Sequence, residues 1–146
     1  MSLQDPEKKM SKSDTNSNNF VLITEESDSI IKKFKKAVTD SGSEIRFDEE
    51  HKPGISNLIK IYASIKNLSV EEVENEFRDS RYGDFKIAVG TAVAEELAPI
   101  KAKYEELMQD KPYLDRILRT NAERAGELAK PTIDDAYRKV GFIRYS

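Results

Sequence analysis

Apolar side chains recur every three or four residues through most of this 146-residue sequence, and that spacing constrains the fold more than any other feature. A period near 3.6 residues places such side chains on one face of an α-helix, and that face must pack against a neighbour. The longest pattern runs over residues 82–109. Its apolar positions are Phe85, Val89, Val93, Leu97, Ile100, Tyr104 and Leu107. Successive amphipathic helices with short connections predict an all-α fold.

Capping residues indicate where the first three helices begin. Asp28 is expected to cap the first helix, and Pro53 is expected to open the second. Ser69 and Glu72 have the spacing of a capping box, which predicts the start of a third helix. The short apolar run over residues 20–23 is compatible with either a strand or a helical turn, because periodicity does not distinguish the two.

Prolines and a glycine define the later helices. Pro99 is expected to kink the fourth helix, because proline removes one backbone donor. Pro112 and Pro131 are expected to open separate fifth and sixth helices, and Gly141 closes the last one. Alternating apolar and charged residues over 44–48 predict one short extended segment. The expected architecture is a bundle of about six helices.

A polar, lysine-rich stretch precedes these helices. Residues 1–19 are expected to form a mobile loop, and within it Lys9, Met10, Ser11, Lys12 and Ser13 follow one another directly. Two ammonium groups three positions apart, with hydroxyl groups between them, suit a polyphosphate ligand, because a lysine on a long stem can follow a moving charge. The alternative interpretation is a solvated basic tail.

Composition excludes several classes of function. The formal net charge is −3, so any RNA contact must use a local basic patch. Cysteine is absent, which excludes disulfides and thiolate metal sites. No apolar run has the length of a membrane span. The single histidine, His51, has no second histidine or cysteine with which to bind a metal, and we expect it to lie exposed in a loop.

The residues around the lysines carry a family resemblance. The stretch MSLQDPEKKMSKSD, from Met1 to Asp14, resembles the signature loop of class I aminoacyl-tRNA synthetases, and most closely that of the tryptophanyl-tRNA synthetases. Further segments resemble that family in the same order along the chain. They are Asn18–Asn19, Ile30–Ser41, Ile45–Asp48, Lys52–Tyr62, Tyr82–Lys86 and Val140–Phe142. The dinucleotide-fold catalytic half of such enzymes has no counterpart in this sequence.

The resemblance implies a C-terminal portion of a tryptophan–tRNA ligase, with residues 1–19 as an ATP-clamping loop and residues 20–146 as a helical domain of the anticodon-binding type. Lys12, supported by Lys9, would act in catalysis. Residues 9–13 would bind ATP, whose Mg²⁺ would arrive with the nucleotide. Asp14 is expected to hold the loop in place. The implied partners are tryptophan tRNA, ATP and the catalytic half, in a cytoplasmic homodimer. Without that half, the chain is expected to be inactive.

Other clusters have ordinary structural interpretations. The basic stretch 32–36 is typical of a solvated helix face. The aromatic residues Tyr62, Tyr82, Phe85 and Tyr104 have a spacing that favours core packing over base stacking. An anticodon loop would require exposed aromatic or arginine side chains. The arginines that form the pool of candidates are Arg78, Arg81, Arg116, Arg119, Arg124 and Arg138.

Two other classes of function remain as alternatives. The chain could be a non-catalytic helical interaction module derived from a synthetase. A self-contained small enzyme is disfavoured, because no pairing of a nucleophile with a base is visible, and neighbouring glutamates on a helix point in different directions.

Overall fold

The computed structural model describes residues 1–143, and within this range all regular secondary structure is helical. A short 3₁₀ turn, Ser17–Asn19, precedes five α-helices. The α-helices are α1 (Ser27–Lys35), α2 (Pro53–Lys66), α3 (Val70–Glu76), α4 (Tyr82–Gln109) and α5 (Lys111–Val140). The prediction of an all-α bundle is confirmed, with five α-helices in place of about six.

Local signals determine the ends of α2 and α3. Pro53 occupies the first turn of α2, and Asn67 ends the helix in the left-handed conformation at φ 54°. At α3, the Ser69 hydroxyl accepts from the Glu72 amide while the Glu72 carboxylate accepts from the Ser69 amide. The predicted capping box is therefore confirmed.

Two predicted helix boundaries are wrong. Helix α1 begins after Glu26, so Asp28 lies in its first turn. A negative charge there interacts favourably with the unpaired backbone amides of that turn and so stabilises the helix. Pro131 lies inside α5 and opens no separate helix. Proline deprives the Glu127 carbonyl of its donor, but Glu127 is exposed, so solvent can satisfy that carbonyl and the helix can continue.

By its internal contacts, the chain divides into two units, Met1–Lys103 and a second unit that begins at Tyr104 within α4. The first unit contains an apolar core built from the loop residue Leu3 and from α1 to α4. Its aromatic centre is formed by Tyr62, Phe77 and Phe85, whose ring centroids are 4.8–6.3 Å apart. Tyr62 and Phe85 are buried, so their predicted core role is confirmed, whereas Tyr104 is 45% exposed.

Close backbone approach also shapes this core. A methyl group added to Gly54 at the start of α2 would lie 2.2 Å from the Val38 carbonyl oxygen, and one added to Gly90 on α4 would lie 3.0 Å from Phe34 Cβ. Both glycines therefore allow neighbouring segments to approach more closely than any side chain would permit. The segment after α1 consequently lies directly against α2.

The second unit has a different character. No described residue of α5 is buried, although its apolar side chains recur with helical spacing. Asp110 caps α5 by accepting from the Tyr113 amide. Gly141 ends the helix at φ 75°, as predicted, and the Tyr137 and Phe142 rings pack edge to face just beyond that end.

Candidate functional site

The two ends of the lysine-rich loop are joined by hydrogen bonds. The Leu3 amide donates to the Asn19 carbonyl at 3.1 Å, and the Leu3 carbonyl accepts from the Val38 amide at 2.8 Å. The Leu3 side chain is 2% exposed and belongs to the core. We call Leu3, Asn19 and Phe20 the loop base, and Lys9–Ser13 the loop tip.

A charged side chain holds the other side of the loop base. Lys33 Nζ donates to the Phe20 carbonyl at 2.9 Å and to Glu25 Oε2 at 2.8 Å. The same ammonium lies 5.2 Å from the centroid of the Phe20 ring, which is itself buried. Lys33 is only 8% exposed, so its charge is placed against these partners and away from bulk solvent.

The Glu25 carboxylate completes this arrangement. It also accepts from the Ser29 hydroxyl and from the Leu22 amide. Burial raises the pKa of the Glu25 carboxyl, but the hydrogen bonds that it accepts outweigh burial, and the net pKa lies below the ordinary value. Glu25 is therefore held in the charged form that matches Lys33.

Inside the loop, a compact turn pairs one of the three lysines that precede Ser13. The Ser2 amide donates to the Lys8 carbonyl at 2.8 Å, and Lys8 Nζ lies 2.6 Å from Asp5 Oδ2. The hydrogen bond to Asp5 raises the pKa of Lys8. Because this ammonium already has a carboxylate partner, it is less available to a ligand than the lysines of the tip.

The loop tip projects into solvent. Lys9, Ser11, Lys12 and Ser13 are exposed, and within residues 1–143 neither tip lysine forms an ion pair with a carboxylate. The Ser11 and Ser13 hydroxyl oxygens lie 3.0 Å apart. Met10 differs from its neighbours, since it is partly buried and packs against the core. The tip thus exposes two lysines and two serines, while its methionine packs against the core.

Asp14 fixes the end of the tip. Its carboxylate accepts from the Asn16 amide at 2.9 Å and from Asn19 Nδ2 at 2.7 Å. The hydrogen bond from Asn19, followed by that from Asn16, lowers the pKa of the Asp14 carboxyl. The prediction that Asp14 holds the loop in place is confirmed.

Landmarks that are far apart in the sequence meet in a second polar cluster. Lys52 Nζ donates to the Tyr82 hydroxyl at 2.8 Å. The single proton of that hydroxyl has two acceptors within reach, Asp40 Oδ1 at 2.9 Å and the Glu44 carbonyl at 3.1 Å. Lys52 Nζ also lies 3.3 Å from Asp40 Oδ1. The cluster therefore joins the segment after α1 to the beginnings of α2 and α4.

The structure corrects one interpretation and supports others. Lys33 is buried and paired, so the basic stretch 32–36 is not wholly a solvated face, although Lys32, Lys35 and Lys36 are exposed.

His51 is exposed and contacts Asp48, as expected for a loop histidine. Residues 1–143 contain no group of three or more histidine, cysteine or acidic side chains placed to hold a metal.

Sequence reasoning overlooked the role of Lys33, although a signal was present. Lys33 lies three residues after Ile30, so it shares the buried face of α1 with that residue. A lysine at a core position requires nearby acceptors. The separation of eight residues between Lys33 and Glu25 gave no direct indication of which carboxylate would serve.

Comparisons with known proteins agree with the order of the sequence landmarks. Residues 1–98 match the family described as tRNA synthetases class I (W and Y). The chain is 44% identical to the tryptophan–tRNA ligase of Halalkalibacterium halodurans and 46% identical to that of Oceanobacillus iheyensis, in each case over 99% of its own length. It spans 43% and 44%, respectively, of the length of those two relatives.

A solved structure supports the same relationship. The tryptophanyl-tRNA synthetase of Mycoplasma pneumoniae superposes with a TM-score of 0.81 at 28% identity, covering 98% of this chain and 43% of the other. None of the helices within residues 1–143 is both long enough and apolar enough to cross a membrane.

Proposed function

The chain belongs to the class I tRNA synthetase family that contains the tryptophan and tyrosine enzymes, and from this premise we propose that it is the ATP-clamping loop and helical domain of a tryptophan–tRNA ligase. Relatives of that name align with nearly all of the chain. The observation that carries the proposal is the loop tip, where two lysines without carboxylate partners among residues 1–143 extend from a base fixed in the core.

In this proposal, residues 1–19 act on ATP. Amino-acid activation expels pyrophosphate, so negative charge grows on the leaving phosphate oxygens. Lys12 would meet that charge in the transition state, with Lys9 supporting it, and Ser11 and Ser13 would donate to phosphate oxygens. The Met10 side chain would hold the tip against the core. Mg²⁺ would enter with the nucleotide.

The anchored base gives this clamp a defined origin. An interaction accelerates a reaction only when it is stronger in the transition state than in the ground state. A tip that is solvated in the free protein and engaged during the reaction provides that difference, while the fixed base limits where the lysines can reach. A swing of the helical domain would then carry the lysines onto the phosphates, which couples closure to activation.

Residues 20–146 would form the tRNA-facing domain. We propose that this helical part docks the anticodon arm of tryptophan tRNA in a cytoplasmic homodimer, with its contacts drawn from the pool of candidate arginines. The catalytic half of the ligase would be the other obligatory partner, because the chain spans under half of its relatives' length. The chain alone would therefore form no tryptophanyl-adenylate.

Replacing Lys12 tests the clamp. In the complete ligase with this chain as its C-terminal part, Lys12→Ala should lower kcat for tryptophan-dependent pyrophosphate exchange about 10²–10³-fold while the KM for ATP changes much less. Lys8→Ala is the matched control, because the Lys8 ammonium is already paired with Asp5. Equal losses in kcat and in ATP affinity would contradict a transition-state role.

A mixing experiment tests whether this chain and the dinucleotide-fold half act together as one ligase. The purified chain should show no pyrophosphate exchange, and adding a separately expressed dinucleotide-fold half should restore charging of tryptophan tRNA. Restoration would support the assignment. Exchange by the chain alone would contradict it, and a chain that binds RNA yet never complements would favour a non-catalytic interaction module.

A further inference from the structure

The lysine-rich loop is held by α1 and the residues just beyond it, and at its start by Asn57 of α2, which bonds the Met1 amino group and carbonyl. The Val38 amide, just beyond α1, donates to the Leu3 carbonyl, and the Gln4 side-chain amide donates to the Lys36 carbonyl at 2.9 Å. Lys33, also on α1, holds the Phe20 carbonyl. Both ends of the loop are thus attached to α1 and to the residues that follow it.

Of these attachments, only the one made by Lys33 uses a buried charge. Lys33 shares its helix face with Ile30 and Phe34, which are 1% and 2% exposed. Burying an ammonium is unfavourable unless acceptors surround it. Here the acceptors are the Phe20 carbonyl and the Glu25 carboxylate, and both belong to the segment between the loop and α1.

An apolar residue would not reproduce this attachment. A methionine at position 33 could contact the Phe20 ring, but it would remove the Lys33 donor from the Phe20 carbonyl and the charge partner from the Glu25 carboxylate, which would keep only its neutral donors. The neighbouring core residues of α1 would remain in place. The expected consequence is a loop base that detaches more often from an otherwise folded helix.

We propose that Lys33, paired with Glu25, is a positioning residue for the loop tip. By donating to the Phe20 carbonyl, its ammonium fixes the point from which the tip extends. The positions that Lys9 and Lys12 can occupy therefore depend on the position of α1. This inference rests on the proposed function only for its catalytic consequence, because the attachment of the loop base to α1 can be tested without ATP.

The first measurement is amide hydrogen exchange on the purified chain. In Lys33→Met, the Leu3 and Val38 amides should exchange about tenfold faster, while amides in the middle of α2 keep their protection. Lys35→Met is the matched control, since Lys35 is an exposed lysine on the same helix, and it should leave exchange unchanged. Unchanged exchange at Leu3 in Lys33→Met, or an equal acceleration throughout the core, would overturn the inference.

A second variant separates the charge pair from side-chain size. Glu25→Gln keeps the volume of the partner but removes its charge, and it should accelerate the Leu3 amide in the same direction, by less than Lys33→Met. A Leu3 amide that is insensitive to Glu25→Gln while Lys33→Met accelerates it would overturn the role assigned to the pair.

The kinetic measurement distinguishes positioning from general stability. In the complete ligase, Lys33→Met should lower kcat for pyrophosphate exchange about tenfold with little change in the KM for ATP, and adding it to Lys12→Ala should cause little further loss. A kinetic defect in Lys12→Ala without one in Lys33→Met would overturn the positioning role. If neither variant affects kinetics while Leu3 exchange accelerates in Lys33→Met, the clamp proposal fails and the structural attachment stands.

Discussion

The loop base and the loop tip are adjacent in sequence, but they are built on opposite principles. At the base, Leu3 is 2% exposed and both of its backbone groups are hydrogen-bonded within the fold. At the tip, Lys9 and Lys12 are exposed and make no ion pair with a carboxylate in the described residues. The base therefore contributes to stability, while the tip keeps its ammonium groups available.

Because of this contrast, the residues that stabilise the fold differ from the residues that are available to a ligand. A buried polar attachment is expensive to break, because its partners would lose their hydrogen bonds. The ammonium group of an exposed lysine stays hydrated in the free protein, and it gives up part of that hydration only when it contacts the charge of a ligand. Substitutions at the base should consequently change the free energy of unfolding, and substitutions of the exposed tip lysines, Lys9 and Lys12, should change activity alone.

The largest expected effect on stability comes from the base. Leu3→Ala should lower the free energy of unfolding by about 2–5 kcal/mol, because it removes buried methyl groups and leaves a cavity. Leu22→Ala is the matched control, since Leu22 is 44% exposed, and it should change stability by less than about 0.5 kcal/mol. Urea denaturation followed by circular dichroism would measure both, and similar losses would show that the base is not part of the core.

A smaller loss is expected where α2 meets the segment after α1. Gly54→Ala should destabilise the chain by about 1–3 kcal/mol, because the new methyl group would collide with the Val38 carbonyl that neighbours the loop base. Gly83→Ala meets no atom within 4 Å and should be neutral or mildly stabilising. Thermal unfolding compares the two variants, and an unaffected Gly54→Ala would contradict the close approach.

The charge pair at the base predicts a pH dependence. The lowered pKa of Glu25 means that its contribution is present at neutral pH and is lost as the pH falls below about 4.3, towards the folded-state value. Glu25→Gln should therefore cost about 1 kcal/mol at pH 7, and the difference from the unmodified chain should shrink in acid. Denaturation at several pH values measures this difference.

Its neighbour supplies the control for that titration. Glu26 is highly exposed, and its carboxylate pairs with Lys101. Glu26→Gln should give a smaller difference in unfolding free energy at pH 7 than Glu25→Gln, because surface ion pairs contribute little. A difference for Glu25→Gln that grows in acid would reverse the predicted sign and contradict the assigned pairing.

The smallest effect on stability is expected at the tip. Lys9→Ala and Lys12→Ala should each change the free energy of unfolding by less than about 0.5 kcal/mol, since exposed side chains outside ion pairs rarely support a fold. The same urea experiment used for Leu3→Ala measures these variants. A loss comparable to that of Leu3→Ala would remove the distinction between base and tip.

Much of the helical framework is predictable from short stretches of sequence. The capping box at Ser69 and the start of α2 at Pro53 follow from signals within a few residues, and the extent of α4 follows from its apolar period. The exposed tip and the loop-holding role of Asp14 were also predictable, because polar residues and short side-chain hydrogen bonds act locally. These features require no knowledge of distant parts of the chain.

The remaining features depend on contacts between distant residues. The bonds of Leu3 to Asn19 and Val38 span 16 and 35 positions, and no local pattern specifies such pairs. Tyr104 continues the apolar stripe of α4 but is exposed, because the core of the first unit ends before it. Pro131 was expected to begin a helix, although the helical propensity of its neighbours carries α5 through it.

The closed loop base also determines which changes of length the protein can accommodate. Because Leu3 and Asn19 are already joined, extra residues inserted between Lys9 and Ser13 would enlarge a loop whose ends stay in place. The entropic penalty of such an enlargement grows only logarithmically, by about 0.6 kcal/mol for each doubling of length. A peptide tag or fluorescent reporter could therefore be carried at the tip while the helices beneath it keep their packing.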